Sequence, residues 1–331
     1  DVACGEGLMP IGVERLGGLG VEIPEDEGAV FRGIRYLDGD LVAEARFTNG
    51  VGLGIRRTTL HEAMRRRAEE LGVEFEWGMV ARRVTGDGVE TARGAIRSRW
   101  LAAADGRMSR MRNLAGLSGK DPRRRRFGVR RHYALAPWSD LVEVHWADHV
   151  EAYVTPVGTS TVGVAVLSSR TPVDFDRLVD EFPVLRARLE GPEPRSRDRG
   201  AGPFGHRAAA VVRENLALVG DASGSLDPIT GEGLSIAFRQ ADALIRSLER
   251  GHIEQYEVAH RRILRGPRML TGLLLFIERQ PILRRRIIRA FASLPSLFSY
   301  MVEIAASGRL PWEHADMKPP RSAPPIARSE P

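Results

Sequence analysis

The sequence has 331 residues, an apolar fraction of 43% and a formal net charge of +6. This length suits one large domain or two interleaved subdomains. A single cysteine, Cys4, excludes an internal disulfide framework and favours a reducing compartment. Because the chain shows no signal-like start and no apolar run of the roughly 18 residues that a spanning helix needs, we expect a soluble, cytoplasmic protein.

The positive charge is concentrated in two arginine runs, Arg123–Arg126 and Arg284–Arg286. Such runs occur in proteins that bind nucleic acid or anionic membranes. These two lack interleaved aromatic residues, and acids accompany arginines elsewhere in the sequence. We therefore expect no nucleic-acid partner and favour a small-molecule substrate.

The first third of the chain alternates helix and strand signals. "CGEGLMPIG", Cys4 to Gly12, is typical of a glycine-rich loop before a helix with Pro10 in its first turn. Thr59 and Glu62 have capping-box spacing, which predicts a helix that Gly72 ends. The alternation of Val73, Phe75 and Trp77 predicts a half-buried strand, and Asp87-Gly88 predicts a hairpin turn.

A wholly apolar stretch, Trp100–Ala104, predicts a strand buried in a parallel sheet. Asp105-Gly106 follows it, at the end of the strand where α/β sheets bind ligands. Long alternating segments then predict an antiparallel sheet that makes one wall of a pocket, with Tyr153, Thr155 and Pro156 as candidate substrate-pocket residues.

After this sheet, Leu216–Val219 returns to the first type of strand and ends in Gly220-Asp221. A carboxylate at this edge is placed to accept hydrogen bonds from ribose-type hydroxyls. The candidate ligand-binding turn that follows leads into a helix whose N-terminal N–H groups favour negative charge. Its residues are Pro228, Gly231, Gly233 and Leu234.

"ADGRMSRMR", Ala104 to Arg112, the "GD…P…GEG" segment and an Arg57-x-x-Leu60 helix start occur in a fixed order. Together they resemble the FAD-dependent oxidoreductases built like p-hydroxybenzoate hydroxylase, a group that includes geranylgeranyl reductases and halogenases. The resemblance implies a Rossmann-like FAD-binding domain, FAD as cofactor and NAD(P)H as reductant. It assigns no catalytic side chain and no metal.

Site roles follow from the same resemblance. Asp221 would hold ribityl or ribose hydroxyls, Arg57 would point toward the cofactor phosphates, and Asp105-Gly106 would stabilise the core near the pyrophosphate. The loop Cys4-Gly5-Glu6-Gly7 is similar to one that lies against the flavin in the reductase-like branch, and the turn at Gly231 would face the flavin pyrimidine.

The dinucleotide fingerprint G-x-G-x-x-G of that family should precede "CGEGL" by about one βαβ unit of roughly 30 residues, and it does not occur in this sequence. We therefore expect an N-terminally incomplete version of a longer flavoprotein. The predicted organisation is an FAD-binding domain with an inserted, mainly antiparallel substrate domain and C-terminal helices. Its limits are 1–115 and 206–250 for the FAD-binding domain, 116–205 for the substrate domain, 251–316 for the helices and 317–331 for a disordered tail.

The reaction type stays open at this stage. The polar residues Glu151, Tyr153 and Thr155 stand where halogenases and prenyl reductases carry apolar ones, which favours a hydroxylase of an aromatic or polyketide-like molecule. The "CGEGL" loop and the apolar C-terminal helices instead favour a geranylgeranyl reductase-like enzyme with peripheral membrane contact. A non-enzymatic remnant that binds a ligand or partner is the third alternative. His145 and His149 lack a third ligand for zinc.

Overall fold

The computed structural model describes residues 1–119 and 125–307. The predicted tail at 317–331 and part of the first arginine run lie outside these ranges. In the described residues the strands are β1 (Gly7–Leu8), β2 (Gly28–Phe31), β3 (Gly33–Asp38), β4 (Leu41–Arg46), β5 (Gly52–Ile55), β6 (Ala81–Thr85), β7 (Gly88–Thr91), β8 (Gly94–Arg97), β9 (Leu101–Ala103), β10 (Phe127–Tyr133), β11 (Val142–Ala147), β12 (Val150–Gly158), β13 (Thr161–Ser168), β14 (Arg199–Ala201), β15 (Val212–Arg213) and β16 (Leu216–Leu218). The helices are α1 (Pro10–Gly18), α2 (Arg57–Glu70), α3 (Arg110–Leu114), α4 (Phe175–Val179), α5 (Pro183–Leu189), α6 (Gly233–Glu249), α7 (Gln255–Glu278), α8 (Pro281–Ser293) and α9 (Pro295–Ser307).

The largest sheet has seven strands in the order β14-β10-β13-β12-β11-β3-β4. Every pairing in it is antiparallel except that of β3 with β11. The prediction of a mainly antiparallel sheet is confirmed. Two of its strands, β3 and β4, come from the first third of the chain, so the sheet extends beyond residues 116–205. The predicted domain limits stay a prediction.

Helices cover both faces of this sheet. α4 and α5 pack against β10, β12 and β13 through a cluster that includes Val164, Phe175 and Leu185. On the opposite side, α8 and α9 pack against β4 and β11 through Trp146, Ile288 and Phe298. Because both faces are covered, every residue of β13 is buried.

A smaller sheet carries the parallel pair predicted from the apolar strand signals. β9 pairs in parallel with β16, and Leu101 stands opposite Leu216. Their neighbours include the buried residues Leu244 and Tyr256, which lie on α6 and α7. Both strands end at the same edge, so Asp105-Gly106 and Gly220-Asp221 come together there, as the sequence predicts.

The predicted strand at Val73, Phe75 and Trp77 is wrong. This segment is extended but pairs with no strand in the described chain. Its aromatic rings stack on each other, with 5.5 Å between the centroids of Phe75 and Trp77, and Trp77 stays largely exposed. Without a partner for its backbone N–H and C=O groups, alternation alone does not make a strand.

The start of α2 also differs from the prediction. The helix begins at Arg57, its N-cap is Arg56, and no side chain of the N-cap residue bonds to it, so Thr59 is not the cap. Its end agrees with the prediction: Gly72 has φ +80°, and its N–H donates to the Glu69 carbonyl. The predicted hairpin joins β6 to β7, with Gly86-Asp87 as the loop, one residue earlier than expected.

The C-terminal helices form as predicted. Among the described residues, no single helix has the length and apolarity needed to cross a membrane. Taken together, α8 and the Pro295–Ile304 part of α9 are long and apolar enough, but the pair is bent by 110°. Arg284 of α8 is buried, and its Nε lies 2.7 Å from Asp38 Oδ2. This arginine therefore fixes α8 to the large sheet and does not face solvent.

Candidate functional site

A cavity of about 820 Å³ lies between the small parallel sheet, the large sheet and the C-terminal helices. Most of the residues named from the sequence line it. These are Cys4, Gly5, Glu6, Gly7, Arg57, Gly106, Tyr153, Thr155, Gly220, Asp221, Pro228, Gly231, Gly233 and Leu234.

Two of the named residues do not line the cavity. Asp105 is exposed, and its carboxylate bonds to the local chain at Ser109 and Met111. Pro156 is in β12, where its carbonyl oxygen faces Gly54 of β5 so closely that a Cβ on Gly54 would come within 1.7 Å of it. Pro156 therefore acts in packing the two strands and not in contacting a ligand.

The opening loop is fixed by the carboxylate of Glu6. This residue is buried at a positive φ of 58°, a conformation that non-glycine residues rarely adopt. Its Oε1 accepts a hydrogen bond of 3.1 Å from the Arg57 N–H. Glu6 thus supplies the anion at the start of α2, which explains why no local capping residue is needed.

A histidine and an arginine of β10 complete this cluster. His132 bonds to Glu6 Oε2 through Nε2, and Arg130 Nη1 lies 2.8 Å from His132 Nδ1. Since a guanidinium only donates, Nδ1 accepts and Nε2–H donates to Glu6. Arg130 also bonds to Asp1 Oδ1 at 2.6 Å. The sequence showed no link between the two sides of this cluster because Asp1 and Glu6 are far along the chain from Arg130 and His132.

The Asp105 motif forms a compact hydrogen-bonded unit beneath the cavity. The Asp105 carboxylate accepts from the Ser109 hydroxyl and, at 2.9 Å, from the Met111 N–H at the start of α3. Arg112 Nη1 donates to the Ala222 carbonyl at 2.9 Å. The motif therefore ties the turn after β9 to the turn after β16, and Gly106 is the part of it that lines the cavity.

The turn after β16 presents an acid to the cavity. Gly220 has φ +59°, and its N–H donates to Gln240 Oε1 at 2.7 Å, which ties the turn to α6. Desolvation raises the pKa of Asp221, while the positive charges of Arg107, Arg57 and Arg112 oppose the shift. A carboxylate in this position can accept hydrogen bonds from ligand hydroxyls.

The second turn is built around Asp227 and Gly231. The Asp227 carboxylate accepts from the Ile229 N–H at 3.2 Å, and Gly231 adopts φ +69° before α6 begins. The missing side chains of Gly231 and Gly233 would meet no atom within 4 Å. The backbone there is open to the cavity, directly at the N-terminus of α6.

A buried ionic cluster connects this turn to the large sheet. Arg126 bonds to Glu151 of β12 and, at 2.7 Å, to Asp227. The Tyr153 hydroxyl donates to the Ile229 carbonyl at 3.0 Å. The unusual polarity of Glu151 in an apolar strand is the one sign of this cluster along the sequence.

Two features of the cavity lining are compatible with FAD. Arg57 Nη1 is buried without a hydrogen-bond partner, as expected of a cation that awaits an anionic group. Added side chains at Gly5, Gly106 and Gly231 would meet no atom within 4 Å. Among the described residues, no group of three or more His, Cys, Asp or Glu side chains could hold a metal ion.

Comparison with solved structures gives the same fold. The chain matches a flavoprotein/dehydrogenase from Cytophaga hutchinsonii with a TM-score of 0.79 and 17% identity, over 93% of this chain and 84% of that one. It matches Klebsiella pneumoniae HpxO, solved with FAD and uric acid, with a TM-score of 0.70 and 18% identity, over 91% and 87% of the two chains.

Curated relatives agree at the level of sequence. The chain is 27% identical to the digeranylgeranylglycerophospholipid reductase of Methanococcus aeolicus over 174 residues, which are 46% of this chain and 43% of that protein. It is 27% identical to the menaquinone reductase of Mycobacterium tuberculosis over 267 residues, 71% of this chain and 64% of that protein. In sequence and in fold, the chain is thus similar to the FAD-dependent oxidoreductases that its motifs resemble.

The chain spans between 43% and 64% of the length of these two relatives. No protein-family model matches it. The predicted α/β fold and the resemblance to FAD-dependent oxidoreductases are confirmed, and the roles of individual site residues stay predictions.

Proposed function

We propose that the protein is an FAD-dependent oxidoreductase that reduces a carbon–carbon double bond in a long apolar substrate, with NAD(P)H as reductant and in the cytoplasm. The observation that carries the proposal is the continuation of the cavity from the glycine turns into the C-terminal helices. There the lining is apolar and is provided by Leu270, Leu274, Ile277, Ile287, Phe291 and Met301. An extended apolar chain fits such a lobe.

The polar residues of β12 do not oppose this reading. Glu151 is fully buried, does not line the cavity and is paired with Arg126. The Tyr153 hydroxyl is engaged by the Ile229 carbonyl. This wall therefore presents to the cavity mainly the aromatic face of Tyr153 and the Thr155 side chain. The polar residues of β12 thus favour a hydroxylase less than their sequence pattern indicates.

In this proposal, one part of the cavity binds the cofactor and the apolar lobe binds the substrate. FAD, when bound, would supply hydride transfer. Asp221 would accept hydrogen bonds from cofactor hydroxyls, Arg57 would bind an anionic group, and the open N-terminus of α6 would favour negative charge. The apolar lobe would orient the substrate and exclude water.

The test is a product analysis under anaerobic conditions. The protein is incubated with FAD, NAD(P)H and a lipid bearing an unsaturated prenyl chain, and the product is examined by mass spectrometry. We expect a gain of two hydrogen atoms for each reduced double bond. An Asp221→Asn variant serves as the control that weakens cofactor binding. Absence of reduction with FAD bound would contradict the proposal.

A hydroxylase is the second candidate, favoured by the fold match to a protein solved with FAD and uric acid. The cavity also has polar lining residues, among them Thr155, which would suit a small polar substrate. Labelled O₂ distinguishes the two reactions. Label in the product would favour the hydroxylase, whereas reduction without oxygen would favour the reductase.

A further inference from the structure

Glu232 is a buried acid at the cavity that none of the roles above uses. It lies between Gly231 and Gly233, immediately before α6, and only 4% of its surface is exposed. It lines the cavity, and its Oε2 has no hydrogen-bond partner. The cost of burying such an oxygen would be offset by a bound ligand.

Its surroundings set it apart from the other buried acids. Among the described residues, the glutamates with a buried oxygen that lacks a hydrogen-bond partner are Glu151, Glu232 and Glu278. Glu151 and Glu278 do not line the cavity. Two other carboxylates that line the cavity are already bonded: Glu6 through both oxygens, and Asp227 to Arg126. Glu232 therefore combines an unsatisfied oxygen with a position on the cavity wall.

Burial also determines the protonation of this side chain. Desolvation raises the pKa of Glu232 to about 7, against a hydrogen bond with Thr230 and the charge of Arg239. Across the cavity, the charged side chains of Arg57 and Asp221 line the same space. A neutral carboxyl at this point has an O–H to donate.

Asp242, another acid of α6, is paired with a residue of α1. Arg15 of α1 lies 2.5 Å from Asp242 of α6, on a part of the helix away from the cavity. The free N–H groups at the start of α6 favour an anion. A protonated Glu232 would donate a hydrogen bond beside these N–H groups, whereas an ionised Glu232 has no O–H to donate.

We propose that Glu232 acts as a neutral carboxyl donor that hydrogen-bonds the flavin ring at the N-terminus of α6 and disfavours flavin binding once it ionises. The inference rests on the proposed binding of FAD in this cavity. Glu232 is a positioning and charge-setting residue for the cofactor.

The first test needs no ligand. Carboxyl ¹³C NMR titration of the full chain, with the Glu232 signal assigned by its loss in Glu232→Gln, should give a midpoint near 7. Thr230→Val removes a hydrogen bond that lowers the pKa of Glu232, so this variant should shift the midpoint upward. A midpoint at the ordinary value of 4.5 in the parent would overturn the proposal.

The second test measures FAD affinity by fluorescence titration at about pH 6 and about pH 8.5, on either side of the expected midpoint. If FAD binding raises the pKa of Glu232 by about one unit, the parent should bind FAD roughly tenfold more tightly at the lower pH. Glu232→Gln should lose this ratio. Glu249→Gln, an exposed change at the other end of α6, should keep it.

Two outcomes of the affinity test would contradict the role of Glu232. The same ratio in Glu232→Gln and the parent, or no FAD binding by the parent, overturns the proposal. Neither measurement depends on turnover. Loss of alkene reduction with the pH-dependent affinity retained would therefore count against the proposed function alone.

Discussion

Arg126 faces two buried carboxylates, Glu151 and Asp227, and one positive charge does not neutralise both. Desolvation and the nearby negative charges of Glu278 and Asp227 raise the pKa of Glu151 to about 8, against the attraction of Arg126. The folded protein therefore retains a proton here that the unfolded chain releases above its ordinary pKa of 4.5.

This proton uptake predicts a stability that falls as pH rises. Between about 4.5 and about 8 the folded state binds more protons at Glu151 than the unfolded state, so the free energy of unfolding decreases with pH in that window. Glu151→Gln should flatten the decrease, as measured by urea unfolding at several pH values. Glu249→Gln, at an exposed position, is the control, and parallel pH curves for parent and Glu151→Gln would contradict the assignment.

Asp221 carries the second residue-level prediction. Asp221→Ala should remove a charge-assisted hydrogen bond to FAD, worth roughly 1.5 to 3 kcal/mol, or about one to two decades in affinity. Fluorescence titration measures the change, with the exposed Asp26→Ala as control. Equal affinity in Asp221→Ala and the parent would show that this acid does not contact the cofactor.

At the scale of elements, sequence patterns succeeded where local residues decide the structure. The apolar strands β9 and β16 and the Gly72 helix end follow from side chains within a few positions. The start of α2 did not follow in this way, because the carboxylate that accepts from its first N–H belongs to Glu6, a residue from another part of the chain. The same holds for the Arg126 cluster, whose members are brought together only by the tertiary fold.

The crossing of β5 and β12 gives a prediction at this scale. A Cβ at Gly54 would come within 1.7 Å of the Pro156 carbonyl oxygen, and backbone cannot move aside cheaply. Gly54→Ala should lower the free energy of unfolding by about 1 to 3 kcal/mol or more, measured by urea denaturation. Gly17→Ala in α1, where an added Cβ meets nothing within 4 Å, should be neutral or stabilising.

At the scale of the whole molecule, the apolar lobe of the cavity lies beneath helices that also expose apolar side chains. Ile282 is 72% exposed, and Leu294, Leu297 and Tyr300 are exposed beside it along α8 and α9. Exposed arginines on α8, Arg286 and Arg289, add positive charge. A long apolar substrate and a membrane surface would meet this face together.

We therefore expect the protein to bind vesicles that contain anionic lipid. Ile282→Asn with Leu297→Asn should lower the bound fraction in a flotation assay, since each buried apolar side chain contributes about 1.5 to 3 kcal/mol. Leu71→Asn removes a leucine that is 64% exposed at the end of α2 and should have no effect. Unchanged vesicle binding in the double variant would show that this face does not contact lipid.

The parallel pair of β9 and β16 has a consequence for how the molecule folds. The strands β10 to β14 all lie between these two partners in sequence, so the pair closes a very long loop. Long-range pairings of this kind form late in folding, after more local ones. A ligand that touches both Gly106 and Gly220 would act as a non-covalent cross-link across the closure, and its concentration would set how often the two halves of the site come apart.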